Sequence, residues 1–450
     1  DLGGVSKDFT VSAQETTFIS RNLPAIRQDE SYCWCPEDYK VQVSFDLQGT
    51  QFTPNEYKPY SQKWEDVDKQ LLKPENTQFG EHLSLTNPFR PETKQAYNSE
   101  MNFEEKIICA FQVLKKKMAW NGRYQLYSKE LEKVIKKGSG SNADLNFILI
   151  SILKDFGLEA YPVVMSRRSS GMLPYNFPSL QKLNTFFVAI HDINKQKYVF
   201  LDSSMDVPAF NILPLELSVN KARMLSLKEK EEKKWVNVMA LSHNKSFMKI
   251  DARIEGNQVK GHRSTVLYGQ EAIEYQANEN HKQDNLVSNP ENKVSQKEKL
   301  TVTNLKVKKQ ENDWALIEEE FDFVLQADRT DDHLYINPML FPQLKSNPFI
   351  QTERVLPIEF PYPYKFTMLS TLTLPEGYEV EELPQSQSIR SEGDGLQCKY
   401  MIQQQGNTIL LNYVFHLKGY IFLSEQYKQL QELWAKVIEK NNALIVLKKI

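Results

Sequence analysis

The stretch GSGSNADLNFILISILKDFGLEAYPVVMS, residues 138–166, decides how this chain is read. Leu145–Leu153 is apolar nearly all the way round, so the helix it forms is buried on most sides rather than along one stripe. Asn142 reads as the cap of that helix, and Asp144 in its first turn complements the helix dipole. Gly157 stops the helix, and Tyr161–Met165 then reads as a strand.

Working outward, the same alternation of helix and strand fills residues 98–235. In NFEEKIICAFQVLKKKMAW, residues 102–120, the set Phe103, Ile107, Phe111, Leu114 and Met118 makes a helical stripe, with Asn102 and Glu105 as a capping box. A short helix over Glu130–Lys137 ends at Gly138. Downstream of the polar loop RRSSGMLPYNFPS, Asn184–Ile190 and Tyr198–Leu201 pair about the turn DINKQK. The charge run LKEKEEKKW, residues 227–235, reads as a solvated linker or helix face and marks a domain boundary.

The flanks are β-rich. Residues 1–97 read as a partial β domain plus a connector: Val41, Val43, Phe45 and Leu47 alternate as in a strand. Trp64, Val67 and Leu71 share a helical face before Pro74, and residues 74–97 read as a connector. Residues 236–360 read as a β domain, with Met248, Ile250, Ala252 and Ile254 alternating, then Phe321, Phe323 and Leu325. Residues 276–299 hold almost nothing apolar and read as a mobile loop. Over 361–450, strands at Phe366–Leu374, Leu396–Ile402 and Thr408–His416, separated by PEG, EGDG and QQGN, suggest an antiparallel sandwich. A helix in YKQLQELWAKVIEKNN and a last strand, ALIVL, close it.

Composition excludes several classes. At 450 residues the chain is too long for one ordinary core. Lys+Arg 55 against Asp+Glu 58 leaves a net charge of −3, so no uniform basic field is available and a dedicated nucleic-acid binder is disfavoured. No apolar run reaches the ~18 residues of a membrane span. The N-terminus, DLGGVSKDFT, has neither the charged nor the apolar region of a signal peptide, as a mature or truncated chain also would not. The cysteines, Cys33, Cys35, Cys109 and Cys398, form no CxxC or Cys/His cluster, so no zinc site is expected. A bridge between Cys33 and Cys35 is strained at that spacing, and Cys109 reads as a core residue. No Walker sequence, GxGxxG, HExxH or GxSxG occurs, so no cofactor, nucleotide or metal is expected. The seven histidines are scattered, and His281 and His416 read as solvated or structural.

One ordered constellation remains: Gly140, Asn142 and Asp144 at the buried helix, Leu183-Asn184-Thr185 on the next strand pair, and Leu201-Asp202-Ser203 after it. This resembles the transglutaminase-like (papain-like cysteine protease) superfamily. There G-x-C-x-D opens a central helix, a strand carries His, and L-D-[PAS]-[ST] ends the next strand. In that comparison Asn142 stands at the Cys position, Thr185 at the His position and Asp202 at the Asp position. Residues 118–140 and 157–180 also resemble a multidomain branch typical of Bacteroidetes. In that branch β domains of unknown function flank the core. NLPAIRQDESYCWCPEDYKVQVSFDL, residues 22–47, resembles the end of the first, and residues 361–384 through 449 the second. The resemblance implies an α+β multidomain fold, with a central transglutaminase-like α/β domain between antiparallel β-sandwiches. It also implies a periplasmic or extracellular setting.

A papain-like nucleophile needs a thiolate at a helix N-terminus, a His base and an orienting acid. Asn142 has no ionisable proton, and Thr185 is no base near neutral pH. Rescue by Ser139 or Ser141 needs a histidine, and the nearest on the strand, His191, lies six residues beyond Thr185, roughly 20 Å away. The expectation is a protein that has lost its chemistry and binds or scaffolds a peptide, glycan or protein partner. One rival is an active peptidase or transglutaminase using other residues. A second is a structural β-domain array. An open, polar surround at Asn142, Thr185 and Asp202 favours binding, and a filled one favours structure.

Overall fold

A computed structural model describes residues 15–450 apart from 24, 28, 44–48, 54, 55, 60–62, 76, 129, 177, 242, 285–299, 311 and 312. The chain is a mixed α/β, multidomain protein rich in antiparallel sheet. Its central unit is built on three helices, α1 (Trp64–Leu72), α2 (Phe103–Lys117) and α3 (Asn142–Asp155). A five-stranded sheet stands against them: β1 (Glu159–Met165), β2 (Thr185–Asp192), β3 (Lys197–Leu201), β4 (Ala222–Met224) and β5 (Trp235–Val236), in the order β3-β2-β1-β4-β5.

The buried helix forms where the sequence places it, with Ala143 through Leu153 all buried. Its cap is Ser141, one residue before the expected Asn142. The Ser141 hydroxyl accepts from the Asp144 N–H, and the Asp144 carboxylate accepts from the Ser141 N–H at 2.7 Å. Both residue types cap well, and the reciprocal bond to Asp144 decides between them. Gly140 packs so closely that a Cβ there would lie 2.5 Å from Val134 Cγ1. Gly157 ends the helix with φ +74°, a conformation that favours glycine.

Three expectations about this half are corrected. Residues 74–97 are not a plain connector: Gln78–Leu83 and Arg90–Ala96 are short helices, started by the Thr77 cap and by Pro91. Phe79, fully buried, packs between Phe147 and Phe186, each at 5.1 Å between ring centroids. Val41 and Val43 are exposed and outside any strand, while Phe45 and Leu47 lie outside the described residues. Of the two readings of the charge run, the helix face holds and the linker does not. Glu231–Lys234 is a helical turn, and Trp235 joins the sheet as part of β5.

That turn closes an ion network around Arg223, which is fully buried with Asp68. Arg223 donates to Asp68 at 2.6 and 2.7 Å and to Glu231 at 2.6 and 3.0 Å, and Lys234 Nζ lies 3.1 Å from Asp68. The rings of Trp64 and Trp235 flank the guanidinium at 5.7 and 5.0 Å.

The second half is organised by one eight-stranded sheet. Its strands are β6 (Lys245–Glu255), β7 (Gln258–Tyr268), β8 (Leu300–Gln310), β9 (Asp313–Gln326), β12 (Tyr364–Thr373), β14 (Gln387–Arg390), β15 (Leu396–Gln405) and β16 (Thr408–Leu417). They lie in the order β8-β9-β7-β6-β12-β16-β15-β14. The expected boundary at 360/361 falls inside this sheet: β6 and β12 pair in parallel, with Met248 opposite Met368. A four-stranded sheet of β10 (Asp328–Thr330), β11 (His333–Ile336), β17 (Ile445–Lys449) and β13 (Tyr378–Glu382) shares its core. So does helix α5 (Tyr427–Asn441), whose Trp434 ring stacks on Phe360 at 5.6 Å. Helix α4 (Gln270–Asp284) occupies the start of the expected loop, and 285–299 lie outside the described residues. All four cysteines are free.

The Arg223 network yields a stability test. Replacing Asp68 with Ala leaves Arg223 and Lys234 buried with one acid between them, which should cost about 3–5 kcal/mol. The shift in urea unfolding midpoint at constant slope measures it. A change under about 1 kcal/mol would mean the network is solvated.

Candidate functional site

Asn142, Thr185 and Asp202 come from three elements: the first turn of α3, the first residue of β2, and the turn after β3. All three are fully buried. The Asn142 side-chain amide donates to Thr185 Oγ1 at 2.7 Å and to the Phe186 carbonyl at 3.0 Å. Its oxygen accepts from the Gln125 N–H at 2.9 Å, and its backbone N–H donates to the Arg123 carbonyl at 3.1 Å. The segment around Arg123–Gln125 is thus stitched over the helix start.

Asp202 is held by its own turn. Its Oδ1 accepts from the Ser204 N–H at 2.9 Å and from the Ser204 hydroxyl, the Asx geometry that LDSS suggests. Burial pushes its carboxyl above the ordinary range, and bonds from Ser204, Asn146 and Asn142 hold it back. Lys115 sits beyond this turn, with Nζ 3.2 Å from the Ser203 carbonyl and 3.9 Å from Asp206. Burial lowers its ammonium pKa, and Asp206 and Asp202 raise it.

The residue that joins these groups is Asn146, which the sequence reading did not single out. Its amide donates to the Phe186 carbonyl at 2.8 Å and to Asp202 Oδ2 at 2.9 Å. Its oxygen accepts from the Ser203 N–H at 3.0 Å and from the Ser203 hydroxyl at 2.6 Å. The signal was available: Asn146 is four residues after Asn142, on the same helix face, within a run otherwise apolar. A polar side chain there needs partners, because an unpaired buried amide is costly.

His191 is remote from this cluster. Glu159 pairs with His191 at one end of the β1–β2 ladder, and Met165 with Thr185 at the other. His191 Nδ1 lies 3.4 Å from Glu159 Oε2 and stacks on Tyr198. Among the described residues, no three or more His, Cys, Asp or Glu side chains gather as a metal site would require. No helix among them is long and apolar enough to cross a membrane.

Two likenesses bear on this architecture. Residues 332–447 match the family model DUF3858, a domain of unknown function with a solved structure. That match begins before residue 361, within the shared core of the second half. The chain also resembles the crystal structure of a protein from Parabacteroides distasonis described as a "putative protease". The identity is 12% and the TM-score 0.50, over 82% of this chain and 57% of that one. The chain therefore spans little more than half the length of that protein. At this identity the likeness speaks to the fold alone. No curated protein matches the chain.

The hydrogen-bond pattern ranks two substitutions. Asn146→Ala strips partners from the Asp202 carboxylate and from the Ser203 N–H and hydroxyl together and should cost about 3 kcal/mol, more than Asn142→Ala, which strips only the neutral Thr185 hydroxyl and the Gln125 N–H; the Phe186 carbonyl keeps one amide in either variant. Chemical denaturation of both variants checks the order. The reverse order would move the centre of the cluster away from Asn146.

Proposed function

We propose that this chain is a non-catalytic relative of transglutaminase-like and papain-like proteins, acting as a scaffold that meets its partner on outer surfaces. On this reading Asn142, Thr185 and Asp202 are the vestiges of a Cys–His–Asp set, and the cluster now holds α3 to its sheet. The observation that carries the reading is the 2.7 Å bond from Asn142 Nδ2 to Thr185 Oγ1 with both side chains fully buried. Amide chemistry needs a nucleophile, a proton acceptor and room for a carbonyl carbon beside them. Here a carboxamide faces a hydroxyl, and each already has its partner. Losing nucleophile and base together removes the mechanism and not merely part of its rate.

The same burial speaks against a peptide threaded between positions 142 and 185. It favours the scaffold over the groove-binding form of the reading, and a protein partner over a peptide or glycan in that groove. An exported, periplasmic or extracellular setting belongs to this proposal. The expected divisions at 97/98 and 235/236 are no part of it, since Trp64, Val67 and Leu71 pack in the central core and β5 runs across 235/236. Proximity labelling in the source cell, with the chain in its natural context, tests the setting.

The central test uses Asn142→Cys with Thr185→His, the four native thiols changed to Ser. A closed core keeps the new thiol unreactive toward alkylating agents until the protein unfolds. A thiol that reacts in the folded state, with a pKa below the ~8.5 of a free thiol, would overturn the closed-core reading. In parallel, the natural protein should show only background turnover of casein and of Gln/Lys crosslinking substrates. Turnover that Asn142→Ala abolishes would establish the rival reading as an active enzyme.

A further inference from the structure

Helix α4 joins the two halves of the molecule. The Gln270 N–H donates to Asn244 Oδ1 at 2.9 Å, and its side-chain amide donates to the Leu213 carbonyl at 2.6 Å. Leu213 belongs to the core of the central unit, with Val163 and Phe187 of β1 and β2. The first turn of α4 therefore ties the eight-stranded sheet to the central unit.

Glu271, next to Gln270, faces an unusual setting for a carboxylate. Its side chain meets the hydroxyls of Ser246, near the start of β6, and Tyr364, at the start of β12. Those two oxygens lie 3.4 Å apart. One turn along the same helix face is a second acid, Glu274, whose Oε1 accepts from the Tyr362 hydroxyl at 3.3 Å. The groups acting on Glu271 are Ser246, Tyr364 and the like-charged Glu274, with no cation among them. Lys245, beside Ser246, sits over the Tyr268 ring at 4.5 Å. From β9, Glu319 accepts from the Tyr275 hydroxyl of the helix at 2.7 Å and is itself paired with Arg263 of β7 at 2.9 Å. The contact at Tyr275 is thus charge-balanced, whereas Glu271 and Glu274, over the first two turns, are two acids against hydroxyls.

We propose that Glu271 is a proton-operated latch: protonated, it seats α4 on the sheet and keeps Gln270 on Leu213, and ionised, it loosens the first turn and the tie between the halves. Burial, aided by Glu274, pushes the Glu271 carboxyl from the ordinary 4.5 up to about 7, with the two hydroxyls holding it back in part. The helix N-terminus favours the charged form, yet burial without a cation outweighs it. The sign follows from linkage. The seated state binds the proton more tightly, so its advantage is complete below the ordinary pKa and is lost as pH rises toward about 7.

Amide hydrogen exchange over residues 270–277 of the full chain tests this, read at about pH 5 and about pH 8 and corrected for intrinsic exchange. Protection should fall roughly tenfold to a hundredfold across that span, one decade per unit of linked pKa. Glu271→Gln, the shape of the protonated form, should keep at the higher pH the protection seen at the lower. Glu274→Gln should leave the transition in place but move it to lower pH, since only the like charge is removed. A natural protein with unchanging protection would overturn the proposal. So would a Glu271→Gln variant with the same pH dependence, or one that is unprotected at both pH values.

Discussion

The carbonyl of Phe186 and the two amides that reach it are the constraint on which the central unit depends. Helix α3 is apolar on nearly every side, which gives it burial but no preferred rotation about its axis. Asn142 and Asn146, one turn apart, both donate to that carbonyl, at 3.0 and 2.8 Å. Once they do, the rotation and the depth of α3 relative to β2 are set. Asn146 then reaches past β2 to Asp202 and Ser203, so the same helix face also positions the turn leaving β3. Apolar packing supplies the bulk of the stabilisation here, and the amide bonds supply its direction.

That division of labour explains what was legible in the sequence. The stripes of α1 and α2, the burial of α3 and the strand pair before Asp202 all follow from hydrophobic period, which is local and survives any packing. The juxtaposition of positions 142, 185 and 202 was readable only as an order of motifs. Asn146 shows in the sequence only as a lone amide on the Asn142 face of an apolar run, and nothing local names Asp202 and Ser203 as its partners. The cap at Ser141 was misplaced by one residue for a related reason: Ser and Asn are equivalent as types, and the bond to Asp144 separates them.

The misread segments fail where distant partners override composition. LKEKEEKKW looks solvated because seven of its nine residues are charged. Glu231 and Lys234 nevertheless turn inward, toward Arg223 and an Asp68 more than 150 residues earlier, and no reading of the run alone contains that acid. Residues 276–284 carry too little apolar surface to announce a helix, but the first turns of α4 are anchored by Ala272, Gln270 and Gln276. The 360/361 boundary dissolves because β6 and β12 are parallel neighbours, and a parallel pair joins segments that a hairpin rhythm treats as separate.

Tight coupling between units is a second theme, and it changes what a closed cluster means. Glu359 accepts from the Trp34 N–H at 2.8 Å and from the Tyr39 hydroxyl at 2.7 Å, so the segment before the first helix is fastened to the second half. Arg168, in the loop between β1 and β2, donates to the carbonyls of Phe360 and Pro361 and lies over the Trp34 ring at 4.3 Å. Asp38 accepts from the Met172 N–H of that same loop at 2.7 Å. The loop that follows β1, whose last residue pairs with Thr185, is therefore clamped from two sides. Access to positions 142 and 185 along that loop would require breaking charge-assisted bonds to both the N-terminal segment and the segment before β12. A site serving turnover gains from a rim that opens and closes. A rim fastened at Asp38, Trp34 and Phe360 instead joins the central unit and its neighbours into one surface.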